Sequence, residues 1–379
     1  MGVLMKIQKI DIGKNKHRYL LIDDDLLVVE PVKKYLKFLD NLNRSENTLK
    51  NYAFHLKLYF EYLQEIGISY NQISEAGNNP IEILGNFVSW LDNPTIANPK
   101  ISYFTYPESK RCNKTINIIT TTVLGFYDFI SHSEELPNIY AYKEQRRNPK
   151  FKGLLYELIP NSNIIRKNIL HRKAVNKESK ALTREQYESL LSHCNSDRDK
   201  SIIAIMFEGG LRLGETLGLH IEDIEPYNNR IYIKPRNGLE NGVSVKNHSQ
   251  GDVYVPPYVM RYITNYIIEE LTDLDTNYLF VNLHGENKGK PMKPITVQKL
   301  FERLSKDIDV KVHPHMCRHG HGTELAEAGW DLVEIKDRLR HKNVQSTTVY
   351  THLSDKYKKE KLNELHRMIK ERKDDNEFN

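Results

Sequence analysis

Apolar residues recur at helical spacing along the N-terminal half of the chain. The spacing predicts helices over about residues 32–39, 49–63, 81–91 and 115–131. Ser45 is placed to cap the second of these helices, and Gly67 to end it. We expect residues 27–135 to form a compact helical bundle, with their aromatic stripe buried in its core rather than stacked on bases.

A second structured region begins near residue 180. Thr183 and Gln186 have the spacing of a capping box, which predicts the start of a helix. The apolar run of residues 197–208 predicts another helix, ended by Gly209 and Gly210.

Between residues 229 and 257 the apolar positions alternate with polar ones. Pairs of isoleucine or valine at residues 231–233, 243–245 and 253–255, with Asn-Gly dipeptides among them, predict three short antiparallel strands. Helices are predicted again from about Thr296 to the end. The last of them covers about residues 353–370, where it would pack on a neighbouring molecule, and the charged tail beyond it should fray.

These patterns divide the chain into four segments. Residues 1–26 form a short N-terminal extension, in which residues 19–22 predict a strand. Residues 27–140 form the helical domain, residues 141–179 form a linker, and residues 180–379 form a second domain with a C-terminal helix or tail.

Composition favours a cytoplasmic, nucleoid-associated protein. The 379 residues are 39% hydrophobic and 28% charged, which is typical of globular chains. No stretch approaches the length of a membrane span, so we expect no membrane partner. Three widely spaced cysteines without a CxxC motif suit a reducing compartment and no disulfide framework.

Positive charge is concentrated between the two domains. Residues 141–180 contain eleven Lys or Arg against three acids, a net charge of +8 in a chain whose total is +5. Such a segment suits the backbone of a DNA duplex, because phosphate contacts supply most sequence-independent affinity. The alternative is a solvated linker without a partner.

Arginines and histidines suited to phosphoryl transfer occur in the second domain. Arg212 lies in the glycine-rich run G-G-L-R-L-G-E, and its planar guanidinium can hold two phosphate oxygens. Glu215 follows at helical spacing, on the same face as Arg212, and is a candidate supporting residue of the site. For this pair taken alone, the simpler interpretation is a surface ion pair. His315 and Arg318 also have helical spacing and can face one site, where a histidine exchanges protons near neutral pH.

A tyrosine follows these residues along the chain. Tyr350 comes after His341 in the run R-H-K-N-V-Q-S-T-T-V-Y. A phenol with a pKa of about 10 needs cationic neighbours and a base before it attacks at neutral pH. His319 is expected to point away from this site, as a supporting or packing histidine.

The histidines also raise the question of a metal. Their alternating spacing does not match common closed zinc sites, and Arg318 among them would repel a cation. We therefore expect neither a metal nor another cofactor at the cluster of His313, His315, His319 and His321.

The run from His315 to Tyr350, with its H-M-C-R-H and R-L-R-H segments, resembles the signature of the tyrosine recombinases, the phage integrase family. The resemblance covers residues 180–355 strongly and residues 27–135 weakly. It implies a mainly α fold with a small antiparallel sheet. In that fold a helical, SAM-like core-binding domain and an α/β catalytic domain form a C-shaped clamp on DNA.

The resemblance also implies a role for each residue. Arg212 and Arg318 would hold the non-bridging oxygens of the scissile phosphate and stabilise the transition state. Tyr350 would attack the phosphorus, giving a 3′-phosphotyrosyl enzyme and a free 5′-hydroxyl. His315 would act as general base and later as acid, and His341 would hydrogen-bond the phosphate.

A lysine in the turn between the second and third strands completes the family pattern, and Lys246 matches it as the proton donor to the leaving 5′ oxygen. The chain departs from the family at Cys317, where leucine is usual, and at Arg340, where glycine is usual. A left-handed backbone at Arg340 would cost an arginine about 1–2 kcal/mol. Its guanidinium is also a candidate phosphate contact.

The expected function is site-specific DNA recombination by a transposon or phage enzyme. The implied partners are double-stranded DNA, four protomers on two duplexes, and accessory DNA-bending or excision factors. Alternatives with the same chemistry are a chromosome-dimer resolvase and a type IB topoisomerase-like strand transferase. A metal-dependent nuclease and a catalytically inactive DNA-binding protein are further alternatives, and the DNA target stays open.

Overall fold

The computed structural model describes most of the chain, in two compact units, Met1–Lys177 and Glu178–Asn379. The described residues are 5–13, 16–75, 77–92, 111–133, 142–146, 164–174, 181–245, 249–342, 347, 350 and 362–363. The C-terminal helix predicted over residues 353–370 therefore lies almost wholly outside them.

The N-terminal unit combines a helical bundle with short antiparallel strands. Its helices are α1 (Glu30–Asn41), α2 (Glu46–Glu65), α3 (Pro80–Trp90) and α4 (Asn113–Ser133). Its strands are β1 (Lys6–Asp11), β2 (His17–Ile22), β3 (Tyr142–Arg146) and β4 (Ile164–Asn168).

The helix signals read from the sequence are confirmed in this bundle. The Ser45 hydroxyl accepts a hydrogen bond from the Thr48 amide at the start of α2. Gly67 follows the end of α2 with a φ of +69°. The aromatic stripe is buried as predicted, and the hydroxyls of Tyr59 and Tyr127 meet at 2.7 Å in the core.

The first residues form a hairpin that packs on the bundle. Strand β1 pairs antiparallel with β2 along their whole length. Tyr19 and Leu21 of β2 are buried in the bundle core, and the Tyr19 hydroxyl donates to Glu46 at the start of α2. Only β2 was predicted from the sequence, because the K-I-Q-K-I-D run of β1 offers just two isoleucines as an apolar face.

Part of the basic linker is structured. Strands β3 and β4 lie within it and pair antiparallel, from Tyr142 with Asn168 to Arg146 with Ile164. Beyond β4, the Asn117 side chain of α4 bonds both the amide and the carbonyl of Arg172. The Arg172 guanidinium also reaches Asp92 at 2.6 Å, so the described end of the linker is fixed to the bundle.

The C-terminal unit is a helical domain around a small sheet. Its helices are α5 (Arg184–Ser192), α6 (Asp197–Glu208), α7 (Leu213–Leu217), α8 (Pro257–Asn265), α9 (Pro294–Asp307), α10 (Pro314–Glu327) and α11 (Leu332–Arg338). Its strands, in spatial order, are β5 (Ile224–Glu225), β6 (Arg230–Ile233) and β7 (Gly251–Tyr254).

The predicted helices of this unit are present. Thr183 and Gln186 form the capping box of α5, and α6 has the predicted bounds. Helix α8 and the π-helical segment Tyr266–Leu271 that continues it were not predicted from the sequence. The prediction that helices resume only near Thr296 was therefore wrong. No side chain caps the start of α8, so the sequence carries no capping residue that would mark this helix.

The sheet differs from the prediction in its middle strand. Strand β6 pairs directly with β7, as Ile231 does with Val253. Val245 makes only an isolated bridge to Arg236, so the strand predicted over residues 243–245 was wrong.

The physical reason lies in the two Asn-Gly dipeptides. Gly238 and Gly242 are both left-handed, with φ of +69° and +74°, and they fold the segment into a loop. Buried Asn241 donates to the Leu217 carbonyl at 2.9 Å, which fixes this loop against the end of α7.

No helix within the described ranges is both long and apolar enough to cross a membrane.

Candidate active site

Arg212 is positioned by the sharp turn between α6 and α7. Gly210 has a φ of +61°, and a Cβ at this position would lie 2.7 Å from the His321 ring and 2.8 Å from Leu339. Only glycine therefore fits at position 210. The turn that it allows places Arg212 directly before α7. The Arg212 guanidinium donates to the Arg340 carbonyl at 3.2 Å.

Arg318 enters the same site from α10. Its side chain is 2% exposed, and it donates to the Gly210 carbonyl at 2.6 Å and to the Leu339 carbonyl. Burial and the neighbouring Arg212 lower the pKa of Arg318 to about 9. Both arginines are thus oriented by backbone carbonyls near residues 339–340, the turn that follows α11.

Glu215 is a buried carboxylate rather than a member of a surface ion pair. Its side chain is 3% exposed and contacts the guanidiniums of Arg212, Arg340 at 3.2 Å and Arg318 at 3.7 Å. Burial alone would raise the pKa of this carboxyl, but the three guanidiniums outweigh it and hold the pKa at about 2. The sequence expectation of a surface pair was wrong, because α7 is packed beneath the arginines.

The charge of this cluster is unbalanced. Glu215 is the acid that the structure pairs with the three arginines among the described residues. One carboxylate offsets one of three guanidiniums, which leaves a concentrated positive charge in a buried site. Such a site is suited to an anion with several oxygens, such as a phosphodiester.

Arg340 has the left-handed backbone that the family's usual glycine suggests, with a φ of +52°. Its side chain is 7% exposed and points to Glu215, while its Nη1 donates to the Arg338 carbonyl at 2.9 Å. Arg340 therefore ties the turn after α11 to the start of α7, and it is not free to contact a phosphate in this conformation.

The left-handed position at Arg340 gives a testable stability difference. We expect Arg340→Ala to be less stable than Arg340→Gly by about 1 kcal/mol, because both lose the ion pair but only alanine keeps the strain. Urea denaturation measures the difference. Arg261 is the control, because it is exposed and lies inside α8. There the alanine variant should be more stable than the glycine variant by about 1 kcal/mol, since alanine favours a helix. Equal stabilities at position 340 would contradict the strain.

His315 and His319 meet on one face of α10. Their Nε2 atoms are 3.0 Å apart, and His319 Nδ1 lies 3.1 Å from the Tyr350 hydroxyl. The expectation that His319 points away from the site was therefore wrong. The i,i+4 spacing of the two histidines was the signal that the sequence analysis left unused.

Tyr350 is buried beside α10 and is 2% exposed. Gly322 makes room for it, since a Cβ there would overlap the Tyr350 ring. Burial raises the pKa of Tyr350 to about 12, although Arg318 acts in the opposite direction. At neutral pH the phenol is therefore protonated and needs a base before it can attack.

His341 lies at the end of the turn after α11. Its Nδ1 is 2.9 Å from the Thr347 hydroxyl, and Thr347 is fully buried. Burial, together with Arg318 and Arg212, lowers the pKa of His341 to about 3. The ring is therefore neutral at neutral pH and can donate one hydrogen bond to an anion while Thr347 holds its other nitrogen.

Lys246 lies outside the described residues, so its role stays a prediction from the family resemblance. Ser249, which follows that segment, is 3% exposed and lies 3.4 Å from the Arg212 guanidinium. Ser249 was not predicted as a site residue, and no motif in the sequence marks it.

Space for a ligand adjoins the arginines. A cavity of about 720 Å³ is bordered by Arg212, His315 and Arg318, and also by Gln298, Phe301 and Glu302 of α9. In the described part of the chain, no three His, Cys, Asp or Glu side chains are arranged to hold a metal ion.

The chain is similar in sequence to known proteins. The phage integrase family model matches residues 180–357. Transposase A from transposon Tn554 of Staphylococcus aureus is 34% identical over 362 residues, which cover 95% of this chain and 97% of that protein. The tyrosine recombinase XerD of Staphylococcus haemolyticus is 25% identical over 341 residues, 88% of this chain and 98% of that protein.

A solved structure shows the same fold. The Tn1549 transposon integrase, in complex with transposon right end DNA, superposes with a TM-score of 0.56 at 19% identity, covering 88% of this chain and 98% of that one. The relative that is 34% identical across nearly the whole chain establishes the family. The chain belongs to the phage integrase family and is a site-specific tyrosine recombinase, an enzyme that cleaves DNA strands and transfers them.

Proposed function

We propose that Arg212 and Arg318 bind the scissile phosphate of duplex DNA and that Tyr350 attacks it. The observation that carries the proposal is the cluster of three guanidiniums around the single carboxylate of Glu215. The Tyr350 phenol lies close enough to this cluster for the charge of Arg318 to act to lower its pKa. The excess positive charge favours the phosphate and, more strongly, the additional charge of a pentacoordinate transition state.

The proposed cleavage step balances without a metal or a nucleotide cofactor. A bond forms between Tyr350 Oη and phosphorus, and the bond from phosphorus to the 5′ oxygen breaks. The phenol proton passes to histidine, and the leaving 5′ oxygen takes a proton from a donor, for which Lys246 is the candidate. The 3′-phosphotyrosyl bond conserves the phosphodiester energy, so a 5′-hydroxyl from another duplex can attack it and rejoin the strands.

The remaining histidines complete the proposed site. His315 borders the cavity beside both arginines and is proposed as general base in cleavage and acid in rejoining. His341, neutral and held by Thr347, is proposed to donate a hydrogen bond to a phosphate oxygen.

We propose a transposon or phage element as the biological setting. A transposon protein is 34% identical to this chain, against 25% for a Xer recombinase. Exchange between two duplexes would require four protomers. In the same setting we propose accessory DNA-bending factors and an association with the nucleoid. The basic linker is proposed to contact the DNA backbone, because phosphate contacts supply most sequence-independent affinity.

Joining of two duplexes in EDTA tests this proposal. Purified protein and two DNA duplexes carrying the flanks of its own gene should yield recombinant strands, with EDTA making no difference. Relaxation of a supercoiled plasmid without exchange between duplexes would favour the topoisomerase-like alternative instead. Cleavage that EDTA abolishes would contradict the proposal and point to a metal-dependent nuclease.

A further inference from the structure

Three groups form a continuous hydrogen-bonded line at the proposed site. The Tyr350 hydroxyl lies 3.1 Å from His319 Nδ1, and His319 Nε2 lies 3.0 Å from His315 Nε2. The His319 ring thus uses both of its nitrogens, one toward the nucleophile and one toward a second imidazole. An imidazole bonded in this way can take a proton at one nitrogen while it releases one from the other.

The protonation states suit a transfer away from tyrosine. Burial lowers the pKa of His319 to about 4, and it also lowers the pKa of His315. At neutral pH each ring is neutral and carries one proton. A proton on His319 Nε2 satisfies the contact with His315, and it leaves His319 Nδ1 as an acceptor for the Tyr350 hydroxyl.

We propose that His319 is a catalytic residue that relays the Tyr350 proton to His315 during DNA cleavage. The inference rests on the proposed function of Tyr350 as the nucleophile. As the bond from Oη to phosphorus forms, the phenol proton moves to His319 Nδ1, and the proton on His319 Nε2 moves to His315 Nε2. His315 becomes an imidazolium, and His319 stays neutral with its proton on the other nitrogen.

Rejoining resets the relay. His315 returns its proton to His319 Nε2, and His319 Nδ1 protonates the phenolate as the bond from phosphorus to Tyr350 breaks. Each catalytic cycle therefore restores the starting tautomer of His319 without a flip of its ring. The leaving and attacking 5′ oxygens exchange their proton with a separate donor, so the two proton paths do not compete.

The position of His315 explains why the relay needs two rings. His315 borders the cavity together with Arg212 and Arg318, whereas Tyr350 is buried and contacts His319. His319 bridges these two environments.

Nearby charges link the relay to DNA binding. Among the described residues, five charged or titratable groups act on the two rings: His313 at the N-cap of α10, Arg318 of α10, Arg212 before α7, His341 after α11, and the phenol of Tyr350. Arg318 and Arg212 disfavour an imidazolium at His315. A phosphate bound between the arginines would offset their charge, so His315 accepts the proton when DNA occupies the site.

Two substitutions separate a relay from a merely positioning hydrogen bond. The side-chain oxygen of His319→Asn can still accept from Tyr350, but an amide does not pass a proton at neutral pH. We expect His319→Asn and His319→Ala to slow single-turnover cleavage of a nicked suicide duplex by about 10²-fold or more. DNA binding should match wild type in both variants. Thermal unfolding should match wild type in His319→Asn, whereas His319→Ala should unfold at a slightly lower temperature, because it leaves the buried Tyr350 hydroxyl without its partner. The exposed control His284→Ala should match wild type in cleavage, unfolding and DNA binding.

Chemical rescue gives a second readout. Imidazole added to His319→Ala should restore part of the cleavage rate, whereas pyrrole, which has the same size but no acceptor nitrogen, should not. Wild-type rates in His319→Asn would overturn the relay and leave His319 a positioning role. Faster cleavage in His319→Ala would also overturn it, and would show that the bond restrains Tyr350. If wild-type protein forms no covalent adduct on DNA that it binds, the proposed role of Tyr350 as the nucleophile is overturned, and the relay is overturned with it.

Discussion

Replacing Tyr350 with phenylalanine is expected to abolish covalent attachment to DNA and to leave DNA binding unchanged. The variant removes one hydroxyl and keeps the ring that fills the buried space beside Gly322. Since the lost contact is one hydrogen bond to His319, the free energy of unfolding should fall by only about 1 kcal/mol. Cleavage should disappear, because no bond to phosphorus can form without the nucleophilic oxygen.

The measurement is a denaturing gel of protein incubated with a nicked suicide duplex. Wild-type protein should give a DNA-linked band that survives detergent, and Tyr350→Phe should give none. Tyr227→Phe is the matched control, because Tyr227 is fully exposed and should retain the band. A band that persists in Tyr350→Phe would show that another residue is the nucleophile, and Tyr357 would be the first to test.

Glu215→Gln is expected to destabilise the protein by about 3–5 kcal/mol, because it removes the carboxylate from a buried cluster of guanidiniums. Arg212, Arg318 and Arg340 would then repel one another without compensation. The cleavage rate should fall as well, since the carboxylate orients Arg212 through both its guanidinium and its backbone amide.

The same carboxylate predicts how stability depends on pH. The pKa of Glu215 is about 2 in the folded protein, against 4.5 as its ordinary value. Its contribution is therefore fully present above about pH 4.5 and is lost as the pH falls toward 2. The difference corresponds to about 3 kcal/mol.

Urea denaturation at several pH values measures both effects. Wild-type protein should lose more stability than Glu215→Gln between pH 5 and pH 3, because the glutamine variant has no carboxyl to protonate at this position. Glu286→Gln, at an exposed position, serves as the control and should follow wild type. Parallel pH curves for wild type and Glu215→Gln would contradict the buried ionic cluster.

Local sequence signals predicted much of the fold and the members of the candidate site. Capping residues and apolar spacing placed α2, α5 and α6, because these signals act within one or two helical turns. The run from His315 to Tyr350 predicted DNA strand transfer for a similar reason. Its residues lie within one short segment, so their order and spacing could be compared with the family signature directly.

What the sequence did not predict depends on contacts between distant segments. The burial of Glu215 results from the packing of α7 under Arg318 and Arg340, which lie more than a hundred residues away. His319 follows Arg318 directly and so points in another direction around α10. Tyr350 lies on that side of α10 and is the partner of His319. Helical spacing alone cannot indicate this contact between residues of different segments.

Mapping of the trapped DNA adduct tests the central claim most directly. Wild-type protein would be incubated in EDTA with a nicked suicide duplex, digested with nuclease and trypsin, and analysed by mass spectrometry. The peptide of residues 343–356, in which Tyr350 is the only tyrosine, should carry the mass of a nucleotide phosphate on that residue. An adduct on any other residue, or no adduct on DNA that the protein demonstrably binds, would contradict the account.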